Sequence, residues 1–129
     1  MVKQLKILLV EDDNFLLGMY VDKFQTEGFE VFIADNGAKA IKLTKEKMPD
    51  IILLDVMLPK MNGFEVLREL KKDADIKNIP VILLTNLSQS DDVKKGLELG
   101  AKDFLIKAHF MPQEVVAKVK SVLKLWNVA

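Results

Sequence analysis

The chain has 129 residues, 50% hydrophobic and 29% charged, enough for one ordinary core and too few for two comfortable domains. Nineteen basic and nineteen acidic residues cancel, so no overall field steers it toward nucleic acid or an anionic membrane. It has no cysteine, hence no disulfide framework or thiolate metal site, and no apolar run approaches the roughly 20 residues of a membrane span.

The N-terminus, "MVKQLKILLVEDD", has a short apolar run like that of a signal peptide, but acids follow directly and no small-residue cleavage site appears, so a cytoplasmic location is expected. The first strand-like run is "LKILLV" (Leu5 to Val10), and it stops at "EDDN", where Asp13 or Asn14 can cap a helix. That helix carries its apolar stripe on Leu17, Tyr20, Val21 and Phe24, and Gly28 falls where a C-cap would. "FEVFIA" (Phe29 to Ala34) is the second strand; "IILLD" (Ile51 to Asp55) is the third and ends in a carboxylate. "PVILLT" (Pro80 to Thr85) and "DFLIK" (Asp103 to Lys107) follow, with Gly100 at another helix end. A last helix starts near Pro112 and turns Val115, Val119, Val122 and Trp126 to one side.

Strict alternation of strand and helix predicts an α/β fold, (βα)5, with helices on both faces of a doubly wound five-stranded parallel sheet. The first, third and fourth runs are almost purely apolar, as strands covered on both faces should be, whereas the second and fifth carry Glu30, Asp103 and Lys107 and belong at the edges. Right-handed crossovers then favour the flavodoxin-like order 2-1-3-4-5, in one domain over residues 1–129. The reversal after strand 1 opens a crevice beyond the carboxyl ends of strands 1 and 3. Glu11, Asp12, Asp13 and Asp55 stand there, with Thr85 and Lys107 at the ends of strands 4 and 5.

Converging carboxylates raise one another's pKa unless a cation neutralises them, and hard oxygen donors without cysteine favour Mg2+. An anion belongs between that metal, the lysine and the threonine, which describes a carboxylate accepting a phosphoryl group. Singly, each residue has a plainer reading: Asp55 a solvated strand end, Asp13 a cap, Thr85 an ordinary strand residue, Lys107 a snorkelling edge lysine. Four strand ends delivering complementary groups to one crevice favour the site.

The pieces "ILLVEDD", "DIILLDVMLPKMNGFEVL", "PVILLT" and "GAKDFLIK" stand in an order and spacing that resembles the response-regulator receiver domain of two-component signalling, of the stand-alone chemotaxis-regulator type, over essentially the whole chain. The resemblance implies a signalling domain rather than an enzyme. Asp55 would accept a phosphoryl group from a histidine kinase or phosphotransfer protein. Asp12 would bind Mg2+ directly and Glu11 through water, with an Asp55 oxygen and the Met57 carbonyl completing the protein donors. Thr85 and Phe104 would form the switch, Lys107 would hold the phosphoryl group, and the fourth helix, fifth strand and fifth helix would present the output surface to a protein partner, as monomer or phosphorylation-dependent dimer. Pro59 and Gly63 are expected to shape the loop after the acceptor, glycine by its conformational freedom.

Three features depart from the family pattern: Ala108 replaces the usual proline after the lysine, Asn86 follows Thr85 in place of a small residue, and Met57 and Leu87 are apolar where a polar residue could orient water. Slow autodephosphorylation is expected. His109 reads as an exposed loop residue, and Lys94, Lys95, Lys118, Lys120 and Lys124 as solvated faces. A flavin carrier would want a glycine- and hydroxyl-rich loop after strand 1, an aspartyl phosphatase a second acid at Met57, and an EF-hand alternating oxygen ligands in "DDNFLLG"; none is present. A degenerate receiver acting as a phosphate-independent interaction module remains the alternative. The end of the chain at "LWNVA" fits either a stand-alone regulator, with no nucleic-acid or membrane contact, or a receiver separated from its output domain.

Overall fold

The computed structural model describes residues 4–85, 90–107 and 111–124. Five strands, β1 (Lys6–Val10), β2 (Glu30–Ala34), β3 (Ile51–Asp55), β4 (Val81–Thr85) and β5 (Asp103–Ile106), alternate with five helices. These are α1 (Asn14–Thr26), α2 (Gly37–Lys47), α3 (Gly63–Lys72), α4 (Ser90–Glu98) and α5 (Pro112–Val122). All strands pair in parallel, in the expected order β2-β1-β3-β4-β5. The strands are slightly shorter than the apolar runs, for local reasons. The N–H of Phe29 closes the end of α1 on the Phe24 carbonyl at 3.0 Å, and Pro80 has no N–H to offer the ladder, only a carbonyl that accepts from Ile52.

Alternation along the strands divides the core in two. Ile7, Leu9, Ile51, Leu53, Ile82, Leu84 and Leu105 face α1 and α5, where Leu17, Tyr20, Phe24, Val115, Val116 and Val119 cover them. Leu8, Val10, Ile52, Leu54, Val81 and Leu83 face the other way, under Phe64, Val66, Leu67 and Leu70 of α3. Central β1, β3 and β4 are buried along both faces, with only Lys6 partly exposed, while Glu30 and Ile33 of edge strand β2 meet solvent.

Asp13 caps α1, its Oδ1 accepting from Phe15 N at 2.9 Å and Leu16 N at 3.1 Å, so Asn14 is the first helical residue. Asn62 and Glu65 exchange bonds across the first turn of α3. Gly28 (φ 91°) and Gly100 (φ 108°) end α1 and α4 in the left-handed region, as their positions predicted. Two lysines expected only to be solvated are engaged: Lys118 Nζ lies 3.1 Å from Asp103 Oδ2, and Lys120 Nζ 2.5 Å from Glu27 Oε1 on α1. Pairing across elements is invisible to single-helix periodicity. Among the described residues no helix is long and apolar enough to cross a membrane. Asn86, Leu87, Ala108, His109 and Trp126 lie outside the described residues.

Candidate functional site

Parity along the strands decides which groups meet. Glu11, Asp55 and Lys107 continue the alternation of Leu9, Leu53 and Leu105, so all three emerge at the carboxyl rim on the α1 and α5 side. Thr85 and Phe104 have the opposite parity and continue the face covered by α3. The rim thus carries a charged cluster on one side of the sheet and a hydroxyl and an aromatic ring on the other.

The cluster is tightly knit. Lys107 Nζ lies 2.5 Å from Glu11 Oε1 and 2.8 Å from Asp55 Oδ2. The second oxygen of each carboxylate meets a backbone donor: Asp13 N donates to Glu11 Oε2 at 3.1 Å and Met57 N to Asp55 Oδ1 at 2.9 Å. Glu11 and Asp55 are 1% and 2% exposed, and only 8% of the Lys107 side chain meets solvent, so water screens these charges little. Burial pushes the Glu11 carboxyl up, the hydrogen bond and charge of Asp55 push it further, and Lys107 draws it back only in part. For Lys107 burial works toward a lower value, but the hydrogen bonds and charges of Asp55 and Glu11 outweigh it, and the ammonium is held above its ordinary value. The lysine is the internal counterion of a buried acid pair.

Asp12 is exposed beside this pair, and oxygens of Glu11, Asp12 and Asp55 lie within 4.8 Å of one another. Three carboxylates at that spacing, one open to water, fit a hard divalent cation that keeps part of its hydration shell. The fit also explains why the lysine alone does not balance the site: three carboxylates face one ammonium.

Thr85 is buried at the end of β4, and Phe104 is half-buried against the core on the same face. Phe104 also has the contacts of an ordinary edge-strand phenylalanine. The loop after Asp55 is built differently from expectation. Gly63 does not take a left-handed conformation, since Lys60 does that at φ 67°. Glycine is required for close approach: a Cβ at Gly63 would overlap the Asp55 carbonyl oxygen and lie 2.7 Å from Val56 Cα. The Gly63 N–H binds the Val56 carbonyl at 2.8 Å, clamping α3 to the end of β3.

Tyr20 is a further neighbour of the site, which its place in the apolar stripe of α1 does not reveal. It is buried on α1, burial pushes its hydroxyl up, and it feels Lys107 and then Glu11 and Asp55. The available signal was a tyrosine in an otherwise apolar stripe.

Residues 7–120 match the family model described as the response regulator receiver domain, and the chain belongs to that family. It is 40% identical over 119 residues to the DNA-binding response regulator MtrA of Mycolicibacterium paratuberculosis, covering 92% of this chain and 51% of MtrA. Among solved structures, the chemotaxis response regulator CheY4 of Vibrio cholerae superposes with a TM-score of 0.87 at 28% identity, over 93% of this chain and 99% of CheY4. The Mn(2+)-bound form of response regulator Rcp1 superposes with a TM-score of 0.80 at 32% identity, over 96% of each chain. The chain spans about half the length of the curated relatives it matches.

Proposed function

We propose that Asp55 accepts a phosphoryl group from a histidine kinase or phosphotransfer protein and that this switches a protein-binding surface. The observation that carries the reading is the buried Asp55 carboxylate, held by Lys107 and the Met57 N–H with two further acids beside it. Its oxygens are aimed without a search through rotamers, which removes part of the entropic barrier to attack.

An Asp55 oxygen attacks phosphorus, the bond from phosphorus to the donor imidazole nitrogen breaks, and that nitrogen keeps the electron pair. The Lys107 ammonium, already 2.8 Å from Asp55, is placed to follow the charge onto a phosphoryl oxygen. Glu11, Asp12, Asp55 and the Met57 carbonyl would hold Mg2+, Glu11 through water because Lys107 and Asp13 N occupy its oxygens. That ion would neutralise the charge gathering on the transferred group. Rcp1, at 32% identity, has a Mn(2+)-bound form, which supports divalent-cation binding by this chain.

After transfer, the added charge, nearly two units, draws the Thr85 hydroxyl toward the phosphoryl oxygens and Phe104 moves into the space it leaves. Both lie on the face shared with α4, which supports α4 and β5 as part of the output surface; α5, on the other face, would complete it as in the family pattern. Moving the protein from 1:99 to 99:1 requires about 5.5 kcal/mol of preference for the active arrangement. Met57 cannot orient an attacking water, which supports slow autodephosphorylation. MtrA is a DNA-binding response regulator; for the receiver itself the contacts proposed are with proteins, in the cytoplasm.

Intact mass after incubation with a small acyl-phosphate donor, with and without Mg2+ and beside Asp55→Asn, tests the reading. An adduct on the parent protein that requires the metal and vanishes in Asp55→Asn is expected. A folded parent protein that gains no adduct would instead be a phosphate-independent interaction module.

A further inference from the structure

Among the apolar residues of the loop after Asp55, Val56 is buried and Leu58 and Met61 pack against the core. Met57 does neither: it is 59% exposed, while its own N–H holds Asp55 Oδ1 at 2.9 Å. A long, polarisable thioether is therefore exposed to water on the residue whose backbone N–H holds the acceptor carboxylate, at no cost to packing. Met61 differs, because its sulfur would lie 3.0 Å from a Cβ on Gly37, within the packing of α2 on the α3 side. Nothing in the fold requires the Met57 side chain to remain apolar.

We propose that Met57 is an oxidation-sensitive control position, at which conversion of the thioether to the sulfoxide by a hydroperoxide hastens loss of the phosphoryl group from Asp55; this rests on Asp55 being the phosphoryl acceptor. In the oxidation, sulfur attacks the outer peroxide oxygen, the O–O bond breaks, a sulfur–oxygen bond forms, and the peroxide leaves as water or an alcohol. Sulfur is oxidised by two electrons and the peroxide is reduced by two. A thioether is a weak acceptor, but a sulfoxide oxygen accepts hydrogen bonds well, and it would be carried on the exposed side chain of the residue whose N–H already binds Asp55. It can hold a water against the phosphoryl group. That water attacks phosphorus, the bond from phosphorus to the Asp55 oxygen breaks, Asp55 recovers its carboxylate, and the water proton leaves with inorganic phosphate or to solvent. A reductase of the thiol-dependent sulfoxide class reverses the modification by removing the oxygen as water. Peroxide thereby shortens the signal without touching the acceptor.

The experiment oxidises the full chain with hydrogen peroxide, removes the peroxide, and locates the added oxygen by peptide mass. The protein is then phosphorylated with a small acyl phosphate and Mg2+, and decay of the adduct is followed by intact mass. Each variant is compared with its own untreated form, so differences in starting lifetime do not matter. Oxidation should shorten the lifetime on the order of tenfold in the parent protein, and equally in Met111→Leu, which removes another well-exposed thioether. Met57→Leu should lose the response, and Met57→Gln, which carries an acceptor oxygen from the start, should decay faster than Met57→Leu without oxidant. An unchanged lifetime after Met57 is oxidised, an oxidation response retained in Met57→Leu, or no oxygen gained at Met57 would each overturn the proposal while leaving the acceptor role intact. Absence of any adduct on the untreated protein overturns the acceptor role and this inference with it.

Discussion

The two faces of the sheet hold their helices differently. On one, α1 and α5 bury Leu17, Tyr20, Phe24, Val115, Val116 and Val119 directly beneath the Glu11, Asp55 and Lys107 cluster. On the other, α3 is buried through Phe64, Val66, Leu67 and Leu70, but among the described residues of α4 only Gly96 is buried. Among the described residues what else holds α4 is slight: Val93 is half-buried, Leu99 packs at the helix end, and Lys95 Nζ sits 4.7 Å from the Phe64 ring centroid. The difference teaches where the fold can move. Groups that must keep fixed distances stand over the well-packed face, and the proposed readout helix rests on a glycine, where little buried apolar area opposes displacement.

The largest expected effect would come from emptying the tight face. Phe24 is fully buried and meets Phe29 edge to face at 5.3 Å, so Phe24→Ala should cost about 3–5 kcal/mol in urea unfolding. Val93→Ala, a half-buried change in α4, should cost less than about 1 kcal/mol. Equal losses would erase the contrast.

The glycines at the two helices sharpen it. An added methyl at Gly63 meets backbone, which cannot yield, so Gly63→Ala should cost about 1–3 kcal/mol and slow phosphoryl acceptance by displacing Asp55. A methyl at Gly96 overlaps only the end of the Leu83 side chain, and alanine gains up to about 1 kcal/mol in helix propensity. Gly96→Ala should therefore stay within about 1 kcal/mol of the parent protein in unfolding.

The smallest effect concerns the seam between α1 and α5. The Lys120 hydrogen bond, then its charge, hold the Glu27 carboxyl below its ordinary value of 4.5. A depressed folded value means stability that is present above about pH 4.5 and disappears as the pH falls through the folded value. Because Lys120 is partly exposed, Lys120→Met should cost at most about 1 kcal/mol at pH 7, with the difference gone once Glu27 is protonated. Urea titrations at neutral and strongly acidic pH measure both.

Much of the site was legible before any coordinates. Carboxylates closing apolar runs at Val10 and Leu54, a threonine closing a third and a lysine a fourth define a rim once the strands are parallel. The edge positions of β2 and β5 followed from Glu30, Asp103 and Lys107, because strands covered on both faces read as nearly continuous apolar runs. The role of Gly63 was misread, since local sequence reports a residue's conformational freedom and not which distant backbone will press against it.

By itself, then, the sequence determined the order of elements, the sheet and the identity of the rim residues, because hydrophobic periodicity and strand-end chemistry are local properties. Only the tertiary structure decided that Lys107 bonds both Glu11 and Asp55, that Lys120 reaches back to Glu27, and that α4 rests on Gly96. Each of these joins residues far apart in the chain, and their distance is set by how helices of particular bulk settle on a twisted sheet, a property of the whole packing that no single segment encodes.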